Sequence, residues 1–205
     1  MVRAIGAIRR AGLLSVGREG CDTLLRGMAT TGKAGEAGRL QARVDVAGSG
    51  QANVVTGVAV LDHLLGLLAE RAGFDLALEV APEDAEAEVA AAGRALGQAL
   101  TDALRAEGVR GHGSAVVPAD EALAHVALEA SGRPLVVSNV DLSDVRVGGL
   151  RSDLAASFLQ ALAEGAGLTL HVRLVEGSDP QHVLEAIFKA LGVALAQSCR
   201  PRRKE

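Results

Sequence analysis

"LAERAGFDLALEV" (Leu68–Val80) and "LAEGAGLTLHVRL" (Leu162–Leu174) align without a gap, 94 positions apart. Each begins as the end of an amphipathic helix and reaches a glycine, Gly73 or Gly167, where a helix most readily stops. Each then alternates, with Phe74, Leu76, Leu78 and Val80 in one copy and Leu168, Leu170, Val172 and Leu174 in the other, the period of a strand with one buried face. A second pair of blocks, "EVAAAGRALGQAL" (Glu88–Leu100) and "VLEAIFKALGVAL" (Val183–Leu195), repeats at an offset of 95, so one residue was gained or lost between the blocks. Similarity at such a period marks a duplicated architecture.

Outward from these blocks, both halves read alike. A first helix ("LDHLLGLLAERAG"; "LRSDLAASFLQALAEGAG") leads through its glycine into the alternating strand, and a second helix follows after a turn. Strand-like segments precede the first helix: "LQARVDVAG" and "ANVVTGVAV" in one half, "PLVVSNVDL" in the other. "GSAVVPADEALAHVALEAS" alternates too, although its alanines leave helix open. The sum is an α+β fold of two similar half-domains, each a mostly antiparallel sheet with a pair of helices on one face. The halves run from about 39 to 110 and from 111 to 200 within one domain, 28–205, preceded by an extension, 1–27, expected to be poorly ordered.

A chain of 205 residues that is 49% hydrophobic can bury a sizeable core. Only three aromatic residues occur, Phe74, Phe158 and Phe188, so that core is built from Leu, Val and Ala. Without stacking surfaces, and with a net charge of -4, binding to nucleic acid is not expected. The tail "RPRRKE" is locally basic, a contact or a solvated terminus. Two cysteines, Cys21 and Cys199, form neither a disulfide framework nor a metal motif, which suits a reducing, cytoplasmic setting. Asp62, His63 and Glu70 interrupt the best apolar run, so no membrane span is expected.

Chemistry-bearing side chains gather in the second half. In "GLTLHVRL" the apolar residues take one face, which puts His171 and Arg173 on the other. In the helix that begins near Pro180, His182, Glu185 and Lys189 fall along one stripe, while Leu184, Ile187 and Leu191 form another. An imidazole and a carboxylate on adjacent turns can chelate Mn²⁺ or Zn²⁺. The same spacing also suits a solvated stripe with one weak Glu185–Lys189 pair.

Taken in order, "TGVAVLDHLLGLLAERAGF", "VPADEALAHVALEASGRP", "GLTLHVRL" and "HVLEAIFKALGVAL" resemble the successive motifs of imidazoleglycerol-phosphate dehydratase, the histidine-biosynthesis lyase, from about Arg39 to Ser198. The resemblance implies a duplicated α+β fold, assembly through trimers into a 24-subunit shell, and two manganese ions at subunit contacts. Between those ions the substrate imidazole is held as imidazolate, so that the neighbouring carbon loses its proton and water is eliminated, while basic side chains hold the phosphate. His63, His171, His182 and Glu185 match metal ligands. Glu185 and Asp120, with Glu121 beside it, are the candidate catalytic groups, and Lys189 the substrate-binding cation.

Other family positions are replaced. The first residue of the distal His-His-x-x-Glu motif is Gln181. The proximal motif falls on Glu86, Ala87 and Ala90, with Glu86 or Glu88 left as oxygen donors. Arg71 stands at another histidine position, and Gly111 and His125 at two arginine positions. Three outcomes follow: a dehydratase that uses the remaining ligands, a non-catalytic oligomeric or ligand-binding paralogue, or a single-metal site for a different reaction.

Overall fold

The computed structural model describes residues 40–81, 83–140, 146–147, 150–151 and 153–202; the expected extension 1–27 and the end of the basic tail lie outside them. The first half contains β1 (Gln41–Asp45), β2 (Ala52–Val55), α1 (Ala59–Ala72), β3 (Asp75–Glu79) and α2 (Ala85–Arg105). The second contains β4 (His112–Ala119), β5 (Ala122–Glu129), β6 (Leu135–Ser138), the short pair β7 (Arg146–Val147) and β8 (Leu150–Arg151), α3 (Asp153–Ala166), β9 (Thr169–Glu176) and α4 (Pro180–Ser198).

The two main sheets repeat one topology. In the first, β3 lies between β1, antiparallel to it, and β2, parallel to it. In the second, β9 lies between antiparallel β5 and parallel β6, and β4 extends the sheet beyond β5. Each parallel pair is joined through a helix, β2–α1–β3 and β6–α3–β9. The ambiguous segment after Gly111 is resolved as the β4–β5 hairpin, because alternation places Ala122, Ala124, Val126 and Leu128 in the core.

The quoted blocks superpose in detail. Gly73 and Gly167 end α1 and α3 in the left-handed region, at φ 70° and 67°, where only glycine is free of strain. Beyond them Phe74 N donates to Ala69 O at 3.0 Å and Leu168 N to Ala163 O at 2.9 Å, the same bond in both halves.

The halves also interlock. α2 packs on α3, and α1 on α4, so each sheet's helices meet those of the other sheet. A Cβ on Gly97 would stand 2.5 Å from Leu162 O, and one on Gly192 would collide with Leu68 O, the equivalent atom. Two glycines 95 positions apart thus admit equivalent turns of the opposing helices. One hydrophobic cluster runs through both halves, with Phe158 of α3 and Phe188 of α4 at its centre, ring centroids 5.3 Å apart.

Candidate functional site at the start of the last helix

The start of α4 is fixed by its own sequence. Pro180 takes the first turn, and the N-cap Asp179 accepts hydrogen bonds from Gln181 N at 2.8 Å and His182 N at 3.3 Å. This seats Gln181, His182, Glu185 and Lys189 over the first turns, while Val183, Leu184, Ile187 and Leu191 enter the core. The start of α1 is set by Asp62, which accepts from Thr56 N at 2.9 Å and Thr56 Oγ1 at 2.6 Å, and so places His63 toward α4.

Two imidazole–carboxylate groups result. His63 Nε2 lies 3.5 Å from Glu185 Oε1. Glu185 also accepts from Gln181 Nε2 at 3.2 Å and from Lys189 Nζ at 3.1 Å. With side chains only 13% and 14% exposed, Lys189 and Glu185 do not form the solvated stripe that spacing alone allows. Burial works against ionisation of Glu185, but the bonds from Gln181 and Lys189 outweigh it and hold its pKa below the ordinary carboxylate value.

In the second group the β4–β5 turn meets α4. Its two residues are Asp120, which adopts φ 47°, a left-handed conformation that aspartate tolerates, and Glu121. Glu121 Oε1 accepts from Asp179 N at 2.9 Å, and its Oε2 lies 2.5 Å from His182 Nδ1. The backbone bond from Asp179, followed by the His182 contact, holds Glu121 down to about 2. Glu121 in turn raises the pKa of His182. Asp120 Oδ2 stands 3.6 Å from the other ring nitrogen, Nε2.

His171 lies elsewhere. It is exposed on β9, in register with Ala127 and Val137, while its neighbours Leu170 and Val172 point into the core with the apolar face of α4. The sheet therefore separates His171 from His63, His182 and Glu185 within one chain. On its outer face His125, in register with Arg173, has Nε2 2.8 Å from Ser114 Oγ, a contact that spacing did not announce.

The duplication shows what the first half lacks. At the offset that pairs Gly97 with Gly192, Ala87, Ala90 and Arg94 of α2 stand at the positions of His182, Glu185 and Lys189. Glu86 is exposed. Glu88 is buried and accepts from Glu83 N at 2.9 Å, so the carboxylate nearest this position closes the helix start. Gly111, at an expected arginine position, adopts φ 69°, which disfavours any longer side chain.

Imidazole and carboxylate are suitable donors for manganese or zinc. His63 with Glu185, and His182 with Asp120, each supply two. No group of three or more His, Cys, Asp or Glu side chains that could hold an ion forms among the described residues. The donor types at the start of α4 fit such an ion, two to each pair; at the corresponding turn of α2 only the exposed Glu86 carboxylate is left as a donor.

Fold and site together define a duplicated α+β protein with two imidazole–carboxylate groups on the first turns of α4, one shared with α1 and one with the β4–β5 turn. The sequence profile of imidazoleglycerol-phosphate dehydratase matches residues 56–195. Two relatives of that name are similar: one from Syntrophobacter fumaroxidans, 43% identical over 166 residues (79% of this chain, 84% of that one), and one from Acetivibrio thermocellus, 41% identical over 161 residues (77% and 83%). The crystal structure of the Staphylococcus aureus enzyme superposes with a TM-score of 0.73 at 31% identity, covering 80% of this chain and 94% of that one. That of the Pyrococcus furiosus protein gives 0.71 at 26%, covering 84% and 94%. The chain belongs to the imidazoleglycerol-phosphate dehydratase family.

Proposed function

We propose that this protein acts on imidazoleglycerol phosphate as a carbon–oxygen lyase of histidine biosynthesis, eliminating water at the cluster around the start of α4. The observation that carries this reading is the pairing of His63 with Glu185 and of His182 with Asp120 on the first turns of α4, within a chain that follows the family over most of its length. Elimination requires a base for the carbon-bound proton beside the imidazole and a proton for the departing hydroxyl. Asp120, exposed at the turn, is the group free to exchange protons with a substrate. Glu185 is kept ionised by Gln181 and Lys189, and Lys189, though mostly buried against Glu185, is the cation proposed to attract the substrate's negative charge.

Manganese is the metal that the family resemblance implies; His63 with Glu185, and His182, would hold it as separate partial sites, with His171 supplied from another copy. Such an ion supplies Lewis acidity and a template for the imidazole ring. A trimer-based 24-subunit assembly in the cytoplasm is the matching quaternary arrangement, since the described residues bring no more than two such donors together. Among the described residues no helix is long and apolar enough to cross a membrane.

A second reading, a non-catalytic oligomeric or ligand-binding paralogue, is favoured by Ala87, Ala90 and Arg94 at the equivalent turn of α2. Loss of one well-placed electrostatic stabiliser commonly slows a reaction by about 10²–10³-fold. The purified protein decides between the two. Bound manganese and manganese-dependent elimination from imidazoleglycerol phosphate, with rescue of a histidine auxotroph lacking its own dehydratase, establish the lyase. Absence of turnover in a folded, oligomeric sample establishes the paralogue.

A further inference from the structure

We infer that Glu121 is a positioning residue that selects which ring nitrogen of His182 faces the site. The inference rests on the proposed site in taking the Nε2 side of His182 as its working side. The geometry allows one arrangement. Both Glu121 oxygens are occupied, Oε1 by the Asp179 N–H at 2.9 Å and Oε2 by His182 Nδ1 at 2.5 Å. A carboxylate accepts and does not donate, so Nδ1 carries the hydrogen. In the neutral ring Nε2 is then left with its lone pair, on the side where Asp120 Oδ2 stands at 3.6 Å.

Glu121 is itself held from two directions. The Asp179 amide belongs to the residue that caps α4, so one carboxylate ties the hairpin turn to the helix start and orients the ring one turn further on. The two-residue turn, with Asp120 at φ 47°, sends adjacent carboxylates to different tasks: Glu121 to Nδ1, Asp120 to the neighbourhood of Nε2. A carboxylate behind a histidine is the arrangement that fixes the tautomer of a ligand or proton-accepting imidazole.

Glu121→Gln separates this role from a merely structural one, because it preserves shape but not acceptor count. The glutamine oxygen keeps the bond from Asp179 N, and its NH₂ group then faces Nδ1 and donates to it. The His182 proton must move to Nε2, which blocks the working side. The measurement is the ¹⁵N and ¹³C spectrum of the His182 ring at alkaline pH, where the ring is neutral, in the metal-free protein. Wild type is expected as the Nδ1–H tautomer and Glu121→Gln as Nε2–H, with unchanged circular dichroism. Manganese titrated into both proteins is expected to bind about 10–100-fold more weakly to the variant. An Nε2–H wild type, or a variant with an unchanged tautomer, overturns the inference. If neither protein binds manganese or turns over substrate while the tautomer still switches, the proposed function fails and the positioning role stands.

Discussion

Gly97→Ala tests the interlocking of the halves. In the interior of α2, alanine is favoured over glycine by about 1 kcal/mol. Here the added Cβ meets Leu162 O at 2.5 Å, Ala166 N at 2.8 Å and Gly165 C at 3.0 Å, all backbone atoms that cannot rotate away. Ordinary contact begins near 3.4 Å, so α2 and α3 must part by about 0.9 Å. Forced repacking of this kind costs about 1–3 kcal/mol; with rigid backbone on every side the upper value applies, and the net loss is about 2 kcal/mol. For a chain of this size that lowers Tm by about 4–8 °C. Gly66→Ala is the matched control: it lies inside α1, and its Cβ meets nothing within 4 Å, so it keeps the helix gain alone and raises Tm by about 2–4 °C. Gly192→Ala should behave like Gly97→Ala, since its Cβ strikes Leu68 O, the repeat-related atom. Scanning calorimetry of the three variants measures this. If Gly97→Ala melts within a degree of Gly66→Ala, the close approach of the helices is wrong.

Lys189→Met removes the ammonium from Glu185 while keeping the chain's bulk, and should destabilise the fold by about 1–3 kcal/mol in urea denaturation, because the carboxylate left behind is mostly buried. An unchanged midpoint would show that Gln181 and His63 suffice. The Glu121–His182 pair sets a pH window. Glu121, depressed from 4.5 to about 2, adds stability above its ordinary value that is lost as pH falls toward 2. His182, raised from 6.5, adds stability fully present below that value and lost as pH rises through its folded pKa. The Tm difference between wild type and Glu121→Ala should therefore be widest between about pH 4.5 and 6.5 and shrink on both sides; a flat difference refutes the pairing. His63→Ala and His182→Ala should each weaken manganese binding by tenfold or more in calorimetric titration, whereas Ala87→Ser should leave it unchanged.

The fold was legible because its signals are local and doubled. Gly73 and Gly167 mark helix ends by a backbone requirement that no other residue meets as well, and the alternation after each fixes a buried face; seeing both twice, 94 positions apart, removes the ambiguity that one copy leaves. The site was less legible because its decisive contacts join residues far apart in sequence. Spacing along α4 put His182, Glu185 and Lys189 on one stripe, and the structure keeps them there. It did not show that Lys189 and Glu185 are mostly buried, since that depends on α1 crossing α4 at Gly192. Nor did it separate Asp120 from Glu121, which the left-handed φ of Asp120 turns in different directions. The stretch "PADEA", two acids in a tight turn between alternating strands, carried that signal, but only the capping of α4 by Asp179 gives it a partner. A duplicated fold supplies two equivalent helix starts. In this chain one is polar and clasped by the hairpin turn, while the other carries alanines and spends its buried acid, Glu88, on closing its own helix. The imidazole–carboxylate contacts among the described residues therefore lie at the start of α4, and substitutions at Ala87 or Ala90 in α2 should report on packing alone.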